Sequence, residues 1–241
     1  MYDIKNFNFN YNKDEMISQK ELETLKEISN NKEYENFFTN LKSLNLKYIA
    51  GMMEIKTKIE ILNEDFKIRY KYNPIKTIQT RLKSPESIVK KMQKMNLDIT
   101  LNNINGNIHD IAGVRIICKY IPDIYRIAEM LKQDDTLEII KEKDYVTNPK
   151  KSGYRSYHLV LLVPIRLTTG DEKIPVEIQI RTMSMDFWAS LEHEIAYKYD
   201  GEIPKDAKEA LISTSEEIEK LDDKFYQIKQ IILNNNKEDN P

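Results

Sequence analysis

The sequence predicts an α+β fold, in which helices flank a mixed sheet of about five strands. Apolar residues recur at helical spacing near both ends of the chain, whereas its middle contains four runs rich in Ile, Val and Tyr. Turn residues such as Thr169, Gly170 and Asp171 separate two of these runs. No internal repeat and no Pro- or Ser-rich linker interrupts the sequence, which favours one domain with helical arms.

The first part of the chain is predicted to be helical after a polar tail. Residues 1–12 are rich in Asn and lack an apolar period, so we expect a tail without regular structure. Helices are predicted from Glu15 to Ile28 and from Tyr34 to roughly Tyr72, where apolar residues recur among Glu and Lys. The second helix should end before Pro74, because a residue that precedes proline is disfavoured in the helical conformation.

The remaining elements follow from caps and apolar runs. Ser84 or Ser87 is predicted to start a short basic helix, and the Asn-rich segment after it, NNINGN, is predicted to be a loop. After Phe187 the helical pattern returns, and a charged helix is expected from about Lys205 to Leu233. The predicted strands are GVRIICKY, LEIIKEKDY, SYHLVLLVPI and IPVEIQIRT.

Composition excludes several classes of protein. The 37 basic and 39 acidic side chains nearly cancel, so we expect no attraction to DNA or to an anionic membrane. Cys118 is the only cysteine, and the three histidines are too scattered for a histidine metal site. The N-terminus lacks the apolar stretch of a secretion signal and no segment is apolar enough to span a bilayer, so we place the protein in the cytoplasm.

The last predicted strand has one polar and one apolar face. Two-residue alternation places Glu177, Gln179 and Arg181 on one side, and Val176 and Ile178 on the other. A strand that faces water and a strand that carries a polar site are both compatible with this pattern.

Three further segments carry chemically useful side chains. Residues 150–158 combine lysines, tyrosines, an arginine and a histidine, which suits stacking on a base and contact with phosphate, although a turn around Gly153 explains them as well. Asp110 lies just ahead of a predicted strand and Arg115 lies within it, so a carboxylate and a guanidinium could meet at the same sheet edge. The basic run of residues 81–94 suits phosphate binding, but such runs are usually solvated helix faces.

Common nucleotide and hydrolase motifs are missing. The sequence contains no GxxxxGK[ST] loop, no GxGxxG turn and no GxSxG elbow. A nucleotide would therefore be held by side chains rather than by a glycine-rich loop.

Several segments, taken together and in order, resemble the synthetase domain of the RelA/SpoT family in its short stand-alone form. They are NPIKTIQTRLKSPESIVKKM, DIAGVRIIC, KDYVTNPKKSGYRSYHLV and VEIQIRTMSMDFWASLEHEIAYKY, and the resemblance extends from about Leu46 to Leu233. It implies a nucleotidyltransferase-like sheet that binds ATP and a guanine nucleotide on its open face. The implied activity is (p)ppGpp synthesis, in which the pyrophosphate of ATP moves to the 3'-hydroxyl of GDP, GTP or GMP and AMP is released, as in the stringent response. The paired His-Asp motif of the family's hydrolase domain has no counterpart here.

The resemblance also implies a role for individual residues. Asp110 and Glu177 would bind Mg²⁺, and His158 would act near the transferred group, so these three form the expected catalytic set. The expected ATP-binding residues are Arg81, Lys83, Ser87, Lys91, Lys94 and Arg115. The expected guanine-nucleotide-binding residues are Tyr154, Lys143, Lys150, Gln179 and Asp186. Glu177 could be a metal ligand, a general base, or both in turn.

The resemblance further predicts domain boundaries and partners. Residues 1–45 would form a tail and helix, 46–204 the synthetase domain, and 205–241 a helical extension. The terminal helices are expected to form a homotetramer, and an alarmone or single-stranded RNA is a possible regulator. Asp186 stands where several relatives carry asparagine, and Thr77 where some carry an aromatic residue, which leaves acceptor preference and feedback open.

Three alternatives remain at this stage. A synthetase-like toxin would pyrophosphorylate the 3' end of tRNA, and a non-catalytic sensor would bind nucleotide without turnover. A structural helical protein would simply expose the polar strand face to water.

Overall fold

A computed structural model describes residues 32–98, 100–198 and 203–238. The polar tail predicted for residues 1–12 and the helix predicted from Glu15 to Ile28 lie outside these ranges. The described elements are α1 (Lys32–Tyr70), β1 (Ile75–Leu82), α2 (Pro85–Lys94), α3 (Leu101–Asn107), β2 (Ala112–Cys118), α4 (Ile121–Lys132), β3 (Glu138–Asp144), β4 (Tyr157–Leu167), β5 (Gly170–Thr182), α5 (Met183–Lys198) and α6 (Lys205–Glu238).

The strands form a five-stranded mixed sheet in the order β1-β2-β5-β4-β3. Only the β2–β5 pair is parallel, and the other three pairs of neighbours are antiparallel. The predicted α+β class and the mixed sheet of about five strands are therefore confirmed.

Helix boundaries mostly follow the sequence signals. α1 ends at Tyr70, just before Asn73 and Pro74, and Ser84 caps α2 by accepting a hydrogen bond from the backbone N–H of Ser87. α5 begins at Met183, five residues before the predicted start at Trp188. α6 continues to Glu238, beyond the predicted end at Leu233.

Two predictions about local structure are wrong. NNINGN is not a loop but most of α3, because Thr100 caps the helix by accepting from the N–H of Asn103, and the Asn103 side chain donates to the carbonyl of Asp98. The apolar runs also missed β1, an edge strand on which only Ile75 is buried. A strand with so few buried residues lacks the apolar signal by which strands are recognised.

The chain divides into two units. One contains the described residues up to Lys47 together with Lys83–Ile108, and the other contains Tyr48–Leu82 and the chain from His109 onward. The smaller unit includes α2 and α3, on which Ile88, Met92 and Ile104 are fully buried.

The larger unit contains the whole sheet and its hydrophobic core. Val114, Ile116 and Ile178 lie on the same sheet face and are almost completely buried, and α4 packs against β2, β4 and β5. α1 approaches this face at Gly51, where an added Cβ would lie 3.2 Å from the Cγ2 of Val176. Close packing of helices on one face leaves the other face of the sheet for polar side chains.

Within the described ranges, each helix is either too short or too polar to cross a bilayer.

Candidate active site

Strand register brings polar side chains from all five strands to one face of the sheet. Glu177 pairs with Gly113 and Gln179 pairs with Arg115 across β5 and β2, while His158 of β4 pairs with Gln179. Residues that are directly opposite, or two apart along a strand, point to the same side. The same rule adds Arg81, opposite Gly113, and Lys143, opposite His158.

Glu177 lies at the centre of this face and is contacted by two side chains. The Nδ1 of His158 lies 3.4 Å from its Oε1, and the Nε2 of Gln179 donates to its Oε2 over 2.9 Å. Burial favours a raised pKa for the Glu177 carboxyl, but the contacts with His158 and Gln179 hold that pKa below its usual value. Glu177 is therefore ionised at neutral pH although it is half-buried.

Arg181 connects the surroundings of Glu177 into one network. Its guanidinium is buried and donates to the hydroxyl of Tyr154 over 2.6 Å and to the Oε1 of Gln179 over 2.8 Å. Burial lowers the pKa of Arg181, while Tyr154 and Asp186 oppose this shift. Two chains of hydrogen bonds therefore run from Arg181 toward Glu177, one through Gln179 and one through Tyr154 and His158.

Tyr154 supplies the middle link of the second chain. Its hydroxyl lies 2.8 Å from the Nε2 of His158. Burial raises the pKa of Tyr154, so its hydroxyl stays protonated and can donate to His158. A histidine that accepts at Nε2 carries its proton on Nδ1, which is the nitrogen that faces Glu177.

Aromatic rings and cations surround Tyr154. The Nζ of Lys150 lies 4.7 Å from the centroid of the Tyr154 ring and 4.8 Å from that of Tyr145, and Arg181 lies 5.0 Å from the Tyr154 centroid. The Tyr145 and His158 rings meet edge to face. This cluster of rings and cations suits the binding of a base and its phosphates.

Asp186, in the first turn of α5, joins two arginines. Its Oδ1 lies 3.2 Å from a terminal nitrogen of Arg115 and 3.2 Å from one of Arg181. Asp186 thus shares its negative charge between a cation of β2 and a cation of β5. Its expected contact with the guanine nucleotide stays a prediction.

Asp110 precedes β2 and is close enough to Glu177 to influence it. The negative charge of Asp110 favours a higher pKa for the Glu177 carboxyl. A pair of carboxylates with room for phosphate oxygens is the donor set that Mg²⁺ prefers, because this ion usually takes one or two protein carboxylates and fills its shell with substrate and water. The part of the chain that the structure describes has no cluster of three or more His, Cys, Asp or Glu suited to hold a metal alone.

The expected ATP-binding residues are divided between the two units. Arg81 and Arg115 lie on β1 and β2 in the larger unit, on the same face as Glu177. Lys83, Ser87, Lys91 and Lys94 lie on α2 or directly before it in the smaller unit. Their assignment to the ATP phosphates stays a prediction.

Sequence reasoning left Arg181 and Tyr145 out of the expected site residues. The alternation along β5 had placed Arg181 beside Gln179, and that signal was sufficient to include it. Tyr145 belongs to no recognisable pattern in the sequence. It joins the site only because the chain folds back into β4, which brings His158 against its ring. Arg155, in contrast, is buried and forms an ion pair with Glu219, so it is not free to contact a phosphate.

This chain is similar to known proteins in both sequence and structure. A family model described as a region found in RelA / SpoT proteins matches residues 80–202. The chain is 44% identical over 185 residues to GTP pyrophosphokinase YwaC of Bacillus subtilis (strain 168), which covers 77% of this chain and 88% of that protein. The chain belongs to the RelA/SpoT family.

A second relative and a solved structure are also similar to this chain. GTP pyrophosphokinase YjbM of Bacillus subtilis (strain 168) is 37% identical over 182 residues, or 76% of this chain and 85% of that protein. The crystal structure of small alarmone synthetase 1 from Bacillus subtilis, bound to its product pppGpp, superposes with a TM-score of 0.73 at 35% identity and covers 80% of this chain and 98% of that one. The region matched to the RelA/SpoT family contains every side chain of the network around Glu177.

Proposed function

We propose that this chain is a (p)ppGpp synthetase that transfers the β,γ-pyrophosphate of ATP to the 3'-hydroxyl of a guanine nucleotide. Its similarity to GTP pyrophosphokinases over most of their length supports this activity, as does its similarity to a synthetase bound to pppGpp. The single observation that carries the proposal is the ionised carboxylate of Glu177, held at the centre of a polar sheet face by His158 and Gln179.

The transfer requires one bond to form and one to break. The acceptor 3'-oxygen attacks the β-phosphorus of ATP, the bond from that phosphorus to the bridging oxygen of the α-phosphate breaks, and AMP leaves. Glu177, which is ionised, would take the proton of the 3'-hydroxyl if it acts as the general base. Half-buried donors that converge on Glu177 fix its position before the reaction, which avoids reorganisation during transfer.

Asp110 and Glu177 would hold Mg²⁺, which neutralises charge on the transferred phosphates when bound. Asp110→Asn removes one charge from this pair, so the magnesium concentration that gives half-maximal activity should rise. An unchanged magnesium requirement in Asp110→Asn would contradict its role as a ligand.

The guanine nucleotide is assigned to the side of the face that contains Tyr154. Tyr154 and Tyr145 offer aromatic surface, and Lys150 lies against both rings. Lys143 projects from the neighbouring strand opposite His158. The rings suit a purine, and the lysines suit its 5'-phosphates.

The acceptor is tested by label transfer from γ-labelled ATP in the presence of Mg²⁺. Separate reactions contain GMP, GDP, GTP or deacylated tRNA, and both label transfer and AMP release are followed. We expect label in a guanine nucleotide with an equal amount of AMP. Label on tRNA alone would support the toxin-like alternative, and ATP binding without transfer to any acceptor would support the sensor.

We also propose that the chain forms a homotetramer and acts in the cytoplasm. Leu221, Phe225, Ile228 and Ile232 of α6 are spaced by four, three and four residues and are 45–55% exposed, which is the pattern of a helix seam. Light scattering should give four times the mass of the chain, and Phe225→Lys should lower that mass. A monomeric chain at micromolar concentration would contradict the assembly.

A further inference from the structure

α6 contacts the sheet unit through one polar stripe. Ser215, Glu219, Asp222, Tyr226 and Lys229 recur at intervals of four and three residues, so they lie on one face of the helix. Each of them contacts a group outside α6. Leu211, Ile212 and Ile218 are partly buried, so apolar contacts also attach α6, whereas exposed apolar residues such as Phe225 and Ile228 are offset from the polar stripe.

Glu219 of α6 forms an ion pair with Arg155, which lies near the end of the loop between β3 and β4. Its carboxylate accepts from both terminal nitrogens of Arg155, at 2.8 and 2.7 Å. Arg155 also donates to the carbonyl of Val146 over 2.8 Å. The two ends of the loop are therefore tied to each other and to α6 by one buried guanidinium.

Ser215 of α6 binds Gly153, the residue directly before Tyr154. Its hydroxyl donates to the carbonyl of Gly153. Gly153 has a φ of +90°, and an added Cβ would lie 3.0 Å from the Cβ of Ser215 and 3.2 Å from the Cα of Ile212. Glycine is required here both for this backbone conformation and for the close approach of α6.

Asp222 fixes the junction between β5 and α5. It accepts hydrogen bonds from the hydroxyls of Thr182 and Ser184, and the Thr182 hydroxyl in turn accepts from the backbone N–H of Met185. Asp186, which contacts two arginines of the site, follows directly.

We propose that Ser215, Glu219 and Asp222 are positioning residues for the acceptor side of the reaction. Their printed partners are instead the residues before and after Tyr154 and the start of the helix that carries Asp186. All three lie outside the region matched to the RelA/SpoT family, which ends at residue 202. The proposal rests on the proposed function, since it assigns the guanine nucleotide to the Tyr154 loop.

The far end of α6 has its own anchor, so loss of one loop contact should not detach the helix. The Nζ of Lys229 lies 3.8 Å from the ring centroid of Tyr72 and 4.6 Å from that of Tyr120. The Tyr226 ring also contacts Tyr120. A variant at Glu219 should therefore disturb the loop while α6 stays folded and attached.

The test compares Glu219→Gln with Glu217→Gln in the full chain. Glu217 is exposed and lies two residues away, on the opposite side of the helix. Glu219→Gln should raise the KM for the guanine nucleotide by about tenfold or more, because a charge-assisted contact is lost, and should leave the KM for ATP within about twofold. Glu217→Gln should change neither value.

Hydrogen exchange provides a readout that does not depend on activity. The amides of Lys150 and Gly153, which bond to the carbonyls of Tyr154 and Lys150, should exchange faster in Glu219→Gln than in Glu217→Gln. Amides of β5 should be unchanged. Ser215→Ala, which removes only a hydroxyl, serves as a second variant with a smaller effect in the same direction.

Three outcomes would overturn the positioning role. The first is an unchanged KM for the guanine nucleotide in both Glu219→Gln and Ser215→Ala. The second is an equal increase in the KM values for the guanine nucleotide and for ATP in Glu219→Gln. The third is exchange of the loop amides in Glu219→Gln at the same rate as in the unaltered chain. If the unaltered chain transfers no label, the proposed function fails, and exchange of the loop amides alone then decides whether α6 positions the loop.

Discussion

The two faces of β5 differ in chemistry although their residues alternate along one strand. Val176, Ile178 and Ile180 are completely buried in the apolar core, whereas Glu177, Gln179 and Arg181 form hydrogen bonds with one another on the opposite face. The core face contributes stability through apolar burial. The polar face can hold buried charge because its groups are paired, and it therefore supplies a prearranged site rather than stability.

Ile178→Ala gives the largest effect expected from this comparison, and that effect is on stability. Removing a fully buried isoleucine should lower the free energy of unfolding by about 2–5 kcal/mol. Urea unfolding measures this change, and activity of the folded fraction should stay within about twofold. Ile139→Ala, at an exposed position of β3, is the control and should change the free energy by less than about 0.5 kcal/mol. Equal effects at the two positions would contradict the assignment of the core face.

Gln179→Met should act on activity instead. This change removes the donor to Glu177 and an acceptor from Arg181 while it keeps the side-chain length. Hydrogen bonds to charged groups contribute about 1.5–3 kcal/mol, so kcat/KM should fall about 10- to 150-fold. Gln133→Met, at the exposed residue directly after the end of α4, is the control and should have full activity. Activity above half of the normal value in Gln179→Met would show that the network is not needed.

Tyr154→Phe should give the smallest effect of the series. The ring remains available for a base, but Arg181 and His158 lose their shared hydroxyl partner. Arg181 keeps its contacts with Gln179 and Asp186, so the net loss should be close to that of one neutral hydrogen bond, about 0.5–1.5 kcal/mol, and kcat/KM should fall about 2- to 10-fold. Tyr154→Ala should additionally raise the KM for the guanine nucleotide. Equal losses in the two variants would assign the role of Tyr154 to its hydroxyl alone.

The sequence predicted the polar face because strand alternation is a local property. Two-residue periodicity was enough to group Glu177, Gln179 and Arg181, and the resemblance to RelA/SpoT synthetases added Asp110, His158 and Tyr154. Local patterns also located the cap at Ser84 and the break before Pro74.

One contact between residues distant in the chain and two local features were not predicted. Arg155 matched a pattern typical of phosphate binding, but Glu219, 64 residues away, forms an ion pair with it. Edge strand β1 carried too few apolar residues to be recognised. NNINGN was mistaken for a loop because asparagine usually favours turns, whereas here the side chain of Thr100 caps a helix.

The central claim is that Glu177 carries the chemistry of the polar face. Glu177→Gln keeps the size of the side chain and removes its charge, so it should lower the rate of label transfer from ATP to the guanine nucleotide by about 10²- to 10⁴-fold. Its free energy of unfolding should stay within about 1 kcal/mol of the unaltered chain, since no packing is lost. Transfer at a near-normal rate in Glu177→Gln would contradict this account.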